Sequence, residues 1–200
     1  MLLYSWNKAA ELDQTLAALW ASDLGQSRIL VLDNGSVDAT AQVLDAWQDR
    51  AGARLTRVDL PVNVGAAAAR NWLAARPEVR QADFALYLDD DALVPPDWLG
   101  RLGAAVAAWP RASVWGCKVV DEAGPQRVQA ADLHPVLPEP PDPARPDDFR
   151  FSDLHIQTLD LGQFAYARPC VSVTGCCHLF RTGVLAESGG FALQDRKSVV

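Results

Sequence analysis

No apolar run in this sequence approaches the roughly 18 residues that a membrane-spanning helix needs, so no transmembrane segment is expected. Met1–Trp6 lacks a signal-peptide pattern and leads straight into a polar helix start. The expected location is therefore the cytoplasm, with a peripheral place at the inner membrane face as a variant. Cysteine is scarce: Cys117, Cys170, Cys176 and Cys177 form no C-x-x-C pair, which argues against a structural zinc site. Adjacent Cys176 and Cys177 sit in an apolar run and read as small buried residues, a usage that suits a reducing compartment. Positive charge is also short, with 18 Lys and Arg against 25 Asp and Glu and a formal charge of −7. That balance argues against nucleic acid as a partner. An acidic protein can still bind an anionic ligand if a divalent cation mediates the contact. The first apolar run is not followed by G-x-G-x-x-G, which excludes the usual dinucleotide fingerprint, and there are no internal repeats.

What is present is ordinary for a globular α/β chain. The 200 residues are 50% apolar and 22% charged, enough for one sizeable core and short for two. Leu2–Ser5 reads as a short strand. Leu12, Leu16, Leu19 and Trp20 then mark one face of a helix. Arg28–Leu32 is an apolar run of buried-strand type, followed by Ser36 as a plausible cap for a helix carrying Val43, Leu44 and Trp47. Leu55–Leu60 reads as the next strand and Ala66–Ala75 as a helix that ends by Pro77. Phe84–Leu88 follows as a strand, and Pro95 and Pro96 open a helix whose inner face is Leu99, Leu102, Val106 and Trp109. This alternation predicts a mostly parallel sheet with helices on both faces. Beyond Pro110 the pattern changes: Ser113–Val120 is strand-like and turns at Asp121–Gly124 into Gln126–Gln129. Leu133–Asp148 is a proline-rich irregular loop, and apolar pattern returns at Val171–Phe180 and Gly183–Leu185. The chain is expected to be one domain over 1–200, with a ligand-binding half (1–110) and a second, partial half (111–200).

In an open parallel sheet, ligands bind beyond the carboxyl ends of the strands. Four polar clusters fall at those ends: Ser5-Trp6-Asn7, Asp33-Asn34-Gly35-Ser36, Asn63-Val64-Gly65 and Asp89-Asp90-Asp91. Each alone also reads as turn chemistry. The triple aspartate after a wholly apolar strand is the strongest signal, because clustered carboxylates stay ionised only with a cation nearby. Their hard oxygens suit Mn2+ or Mg2+, with diphosphate oxygens and water completing the coordination. The alternative is a solvated loop in which one aspartate caps the helix near Pro96.

Taken together, these segments resemble family 2 glycosyltransferases of the GT-A fold. The resemblance rests on Tyr4-Ser5-Trp6-Asn7, Val31–Thr40, Asn63-Val64-Gly65 with Ala69-Arg70-Asn71, Leu88–Ala92, Gly175–Arg181 and Gly189-Gly190-Phe191. It covers nearly the whole chain except the proline-rich loop. It implies a mostly parallel GT-A sheet and a metal-dependent, inverting transfer from a nucleotide-diphosphate sugar to a glycan or lipid-linked hydroxyl acceptor. It also implies a donor site of Ser5, Asn7, Asp33, Asn63, Arg70, Asp89 and Asp90, with Asp33 reading the base and Arg70 near the base or diphosphate. Asp89 and Asp91 would form the D-x-D pair that holds ribose and metal, although three aspartates allow two registers, so Asp90 competes with Asp91 as the main ligand. Gly175 and His178 fall on the acceptor side, and a buried structural role is the alternative for His178.

The family's base is an acidic residue shortly after the G-G-F segment. Here only Asp195 is near, and the polar ending Asp195–Val200 departs from the resemblance. The chain is thus expected to be a fragment, clipped at both ends, that binds donor but transfers poorly. Two further readings stay open: a nucleotide-sugar-binding remnant without turnover, and a sugar-nucleotide nucleotidyltransferase. The missing glycine in the Ser5–Ala10 loop counts against the second.

Overall fold

A computed structural model describes residues 1–133, 135–136, 150–151, 158–170 and 172–193. The expected alternation is present, with one further short helix, α4, that was not expected: β1 (Leu2–Ser5), α1 (Ala9–Ala21), β2 (Ile29–Asp33), α2 (Thr40–Ala51), β3 (Leu55–Asp59), α3 (Ala66–Ala74), α4 (Pro77–Arg80), β4 (Phe84–Leu88) and α5 (Trp98–Ala108). Three further elements complete the core, β5 (Val114–Gly116), β6 (Cys177–Arg181) and α6 (Thr182–Ser188). The six strands form one sheet in the order β3-β2-β1-β4-β6-β5. The first four are parallel, whereas β6 runs antiparallel between β4 and β5.

The alternation of side chains along each strand feeds two cores. Leu3, Val31, Leu86 and Leu88 point to one face, where they meet Leu12 and Leu16 of α1, Leu44 and Trp47 of α2, and Trp98 and Leu102 of α5. Leu2, Leu30, Leu32 and Tyr87 point to the other, against Ala69 and Leu73 of α3, Val79 and Leu185. Burial on both faces explains why the parallel strands read as continuous apolar runs. Each fully buried leucine contributes about 1.5–3 kcal/mol relative to exposure, so the two cores fix the strands firmly.

Several local expectations are corrected. Ser36 does not cap α2, which begins only at Thr40; Asp38 holds the Thr40 backbone N–H at 3.0 Å instead. Asp38 also accepts the Ala9 N–H at 3.0 Å, so one carboxylate ties the starts of α1 and α2. Trp109 is not on the inner face of α5 but 41% exposed, and Trp98 takes the buried place. The Ser113–Val120 segment breaks into β5 and Val119–Val120; the latter pairs antiparallel with Arg127–Ala130 as the turn at Asp121–Gly124 requires. The proline-rich loop lies largely outside the described residues, but at its ends Asp132–Leu133 pairs with Ser172–Val173 and Pro135–Val136 with Arg150–Phe151. Among the described residues no helix is long and apolar enough to cross a membrane.

Candidate functional site

Strand register brings the polar clusters together. Ser5 faces Asp33 across β1 and β2, and Asp33 faces Asp59 across β2 and β3, so the carboxyl ends lie flush along one edge. The segments leaving that edge are then laced to one another. The Asn7 backbone N–H donates to Ser36 Oγ at 3.0 Å, and Asn7 Oδ1 accepts the Val37 N–H at 2.8 Å. Asn7 adopts φ 53°, a left-handed conformation that asparagine tolerates better than most residues. Asn34 donates through Nδ2 to Asn63 Oδ1 at 2.8 Å and accepts the Val64 N–H at 3.0 Å. Asp33 is nearly buried at 6% exposure, and its Oδ1 accepts the Ser36 N–H at 2.9 Å. Gly35 sits at φ +76°, where an added Cβ would lie 2.6 Å from the Val62 carbonyl carbon; only glycine lets these two loops approach so closely. Exposed Trp6, Val37, Val62 and Val64 line the rim of this lattice.

The aspartate cluster lies beside it, at the end of β4. Two cationic side chains of the protein stand against its carboxylates. Lys8 Nζ lies 2.5 Å from Asp91 and 3.5 Å from Asp90, and Arg70 Nη2 lies 3.1 Å from Asp89. Burial raises the pKa of Asp89, opposed by Arg70 and reinforced by the charges of Asp91 and Asp90. Burial likewise raises Asp90, with the Ser5 hydroxyl and Lys8 opposing it. Ser5 Oγ is itself buried and makes no well-formed hydrogen bond. Burial alone would lower the Lys8 ammonium, but its contacts with Asp91 and Asp90 raise it to about 12. The backbone of this loop is fixed from α1, where Thr15 donates its hydroxyl proton to the Asp90 carbonyl at 2.9 Å. The capping alternative for the cluster does not hold, since α5 starts after Asp97.

Arg70 is not a surface residue. Its guanidinium lies over the rings of Tyr4 (5.2 Å) and Phe191 (5.6 Å) and donates to the Gly175 carbonyl at 3.4 Å. Its Nε is buried without a partner. It therefore connects the aspartate cluster to the segment before β6. Antiparallel insertion of β6 beside β4 completes that link, with the Asp89 N–H donating to the Cys176 carbonyl at 2.9 Å.

Of the residues expected on the acceptor side, Gly175 borders Arg70, whereas His178 is 3% exposed and packs among Tyr87, Phe180 and Phe191. His178 Nδ1 lies 3.1 Å from the Thr174 carbonyl and Nε2 has no partner, which suits a neutral ring protonated at Nδ1. Burial lowers its pKa to about 4, against the helping effect of the Thr174 carbonyl. Asn71 has a role that sequence motifs did not assign to it. It donates to the Phe191 carbonyl and accepts the Phe191 N–H, each at 2.8 Å, so that α3 clamps the Gly189-Gly190-Phe191 turn. Lys8 and Asn34 were also missed; for Lys8 the signal was a lone cation directly after the first polar cluster. Asp195 lies outside the described residues.

The sequence model of glycosyl transferase family 2 matches residues 2–189. Among solved structures, the mannosyltransferase PcManGT from Pyrobaculum calidifontis, in complex with GDP-Man and Mn2+, is similar at a TM-score of 0.62 with 20% identity, over 96% of this chain and 47% of that one. TarS residues 1–349 from S. aureus match with a TM-score of 0.61 and 16% identity, over 96% of this chain and 50% of that one. The same protein in complex with UDP-GlcNAc gives 0.57 and 17%, over 95% and 47%. The chain thus spans about half the length of these structures. No curated protein matches it.

Proposed function

The chain belongs to glycosyl transferase family 2 and has its GT-A fold, and from that premise we propose that it binds a nucleotide-diphosphate sugar at the carboxyl edge of the sheet for transfer to a glycan or lipid-linked hydroxyl. The observation that carries this reading is the hydrogen-bonded lattice of three strand-end clusters with the aspartate cluster beside it, which Arg70 joins to the Gly175 segment. Residues 1–110 would hold the donor and 111–200 part of the acceptor side. Asp33 would accept an N–H of the base, and exposed Trp6, Val37, Val62 and Val64 would offer apolar surface to the base ring. Asn7 and Asn63, through their loop contacts, keep that pocket in shape. A GDP-sugar and UDP-GlcNAc are bound by the similar structures; UDP, GDP and dTDP donors all suit the carboxylate here.

A divalent metal, Mn2+ or Mg2+, fits the aspartate cluster by donor type. Three carboxylates face two cations, Lys8 and Arg70, which leaves negative charge in excess. Among the described residues no three His, Cys, Asp or Glu side chains enclose a metal position. Metals bound with phosphates commonly take one or two carboxylates and fill the rest with phosphate and water. Asp89 and Asp91 would supply that pair, with Asp90 as the alternative to Asp91. When bound, the metal stabilises charge on the departing nucleoside diphosphate. Arg70 orients Asp89 and adds positive charge, and Asn71 holds Phe191 against the same site. We assign the transfer as inverting, with the base supplied by an acidic group beyond the Gly189-Gly190-Phe191 turn; Asp195 is its candidate in this sequence. A thermal-shift panel of UDP, GDP and dTDP, each with manganese or with chelator, tests the reading. One nucleotide should raise the melting temperature in manganese. The absence of any shift with every nucleotide in both conditions would contradict it.

A further inference from the structure

Cys117 and Cys177 face each other on neighbouring strands. The register of β6 against β5 pairs His178 with Gly116, Leu179 with Trp115 and Phe180 with Val114, which sets Cys177 opposite Cys117. The Cys117 N–H donates to the Cys177 carbonyl at 3.3 Å, and the two sulfurs are 3.1 Å apart. Directly opposed residues of an antiparallel pair have Cα atoms about 4.5–5.5 Å apart, within the span of a disulfide. Only about 1 Å of further approach separates the sulfurs from a bond of about 2.05 Å. We propose that Cys117 and Cys177 are a dithiol pair that oxidises reversibly to a disulfide, locking β5 to β6 and closing residues 118–176 into a covalent loop.

The two thiols differ as an exchange pair should. Cys117 is partly buried and Cys177 is buried. The Cys177 S–H donates toward Cys117, which lowers the Cys117 pKa, while the same contact and burial raise that of Cys177. Cys117 is thus the attacking group and Cys177 the resolving one. With a small-molecule disulfide such as oxidised glutathione, the Cys117 thiolate attacks one sulfur and expels a first glutathione thiolate. Cys177 then loses its proton and attacks the Cys117 sulfur of the mixed disulfide, expelling a second. The protein gives up two electrons and two protons, and one glutathione disulfide becomes two glutathiones. Of the two adjacent cysteines, Cys177 is the one whose sulfur lies against Cys117. The new bond would also reach the aspartate cluster, since Cys177 pairs with Leu88 and the Cys176 carbonyl holds the Asp89 N–H.

The test treats the full chain carrying Cys170→Ser, which removes an exposed thiol, with oxidised glutathione, followed by acid quench, alkylation and peptide mapping. The expected product is a Cys117–Cys177 disulfide within one chain, with two of the three thiols lost and restored by dithiothreitol. The melting temperature should rise by several degrees on oxidation, because the bond constrains a loop of about 60 residues in the unfolded chain. Adding Cys117→Ser should abolish both effects while leaving the circular dichroism spectrum unchanged. Retention of all three thiols, a stable mixed disulfide at Cys117, or a crosslink through Cys176 would each overturn the proposal.

Discussion

Removing the Arg70 guanidinium should cost this fold more than any other single charge at the site. Its ion pair with Asp89 joins side chains that are 17% and 31% exposed, between the surface and buried limits, and is worth about 1–2 kcal/mol. Its contacts with Tyr4 and Phe191 add about 0.5–1 kcal/mol each. Arg70→Ala should therefore destabilise the chain by about 2–4 kcal/mol, leaving Asp89 beside Asp90 and Asp91 without its counter-ion. Arg70→Lys keeps the charge but loses the planar fork that serves Asp89, Gly175 and two rings together, and should recover only about half of that. Urea unfolding measures the difference: with a slope near 2 kcal/mol/M, the alanine midpoint should fall by about 1–2 M. A midpoint within about 0.25 M of the parent, or full rescue by lysine, would refute the view of Arg70 as the link between the cluster and the Gly175 segment.

Burial holds the His178 imidazole near pKa 4 rather than 6.5, so on acidification the unfolded chain takes up a proton before the folded one. Stability present above pH 6.5 should be lost between pH 6.5 and 4, by up to about 1.4 kcal/mol per pH unit, and His178→Phe should remove this component; identical slopes for both proteins in urea unfolding at pH 7 and 5 would count against it. Asp33→Ala should weaken nucleotide binding about tenfold by calorimetry and cost about 1 kcal/mol through the lost Ser36 turn bond; a folded variant of unchanged affinity would place the base elsewhere. Gly35→Ala combines φ +76° with a 2.6 Å approach to the Val62 backbone and should destabilise by about 2 kcal/mol or more, so an unchanged melting temperature would show that the two loops separate easily.

The parallel part of the fold was legible because its strands are buried on both faces. A run such as Ile29–Leu32, apolar throughout and polar just beyond its end, leaves little choice of element, and the Phe84–Leu88 strand was read to its last residue. The same logic placed Ser5, Asp33, Asn63 and Asp89 on one edge. Less visible were features that depend on long-range approach. Asp38 spans two helix starts, reaching Ala9 across 29 positions, a contact that local cap rules do not anticipate. Lys8 meets Asp91 across 83 positions, and Asn71 meets Phe191 across 120. The antiparallel insertion of β6 between β4 and β5 was equally hidden, since an apolar segment such as Cys177–Phe180 does not state its neighbours or direction. Trp109 was misplaced because helical spacing marks a face without marking where the helix ends.

Calorimetric titration of the nucleotide identified by the thermal-shift panel, as its diphospho-sugar, tests the central claim most directly when run on the parent chain and on Asp91→Asn, each in manganese and in chelator. The account predicts binding to the parent that weakens at least about tenfold in chelator, and a variant that binds weakly in both conditions, as expected when a charge-assisted contact worth about 1.5–3 kcal/mol is lost. Equal affinity of the parent with and without metal, or a variant that binds like the parent, would contradict the assignment of the aspartate cluster to the donor diphosphate.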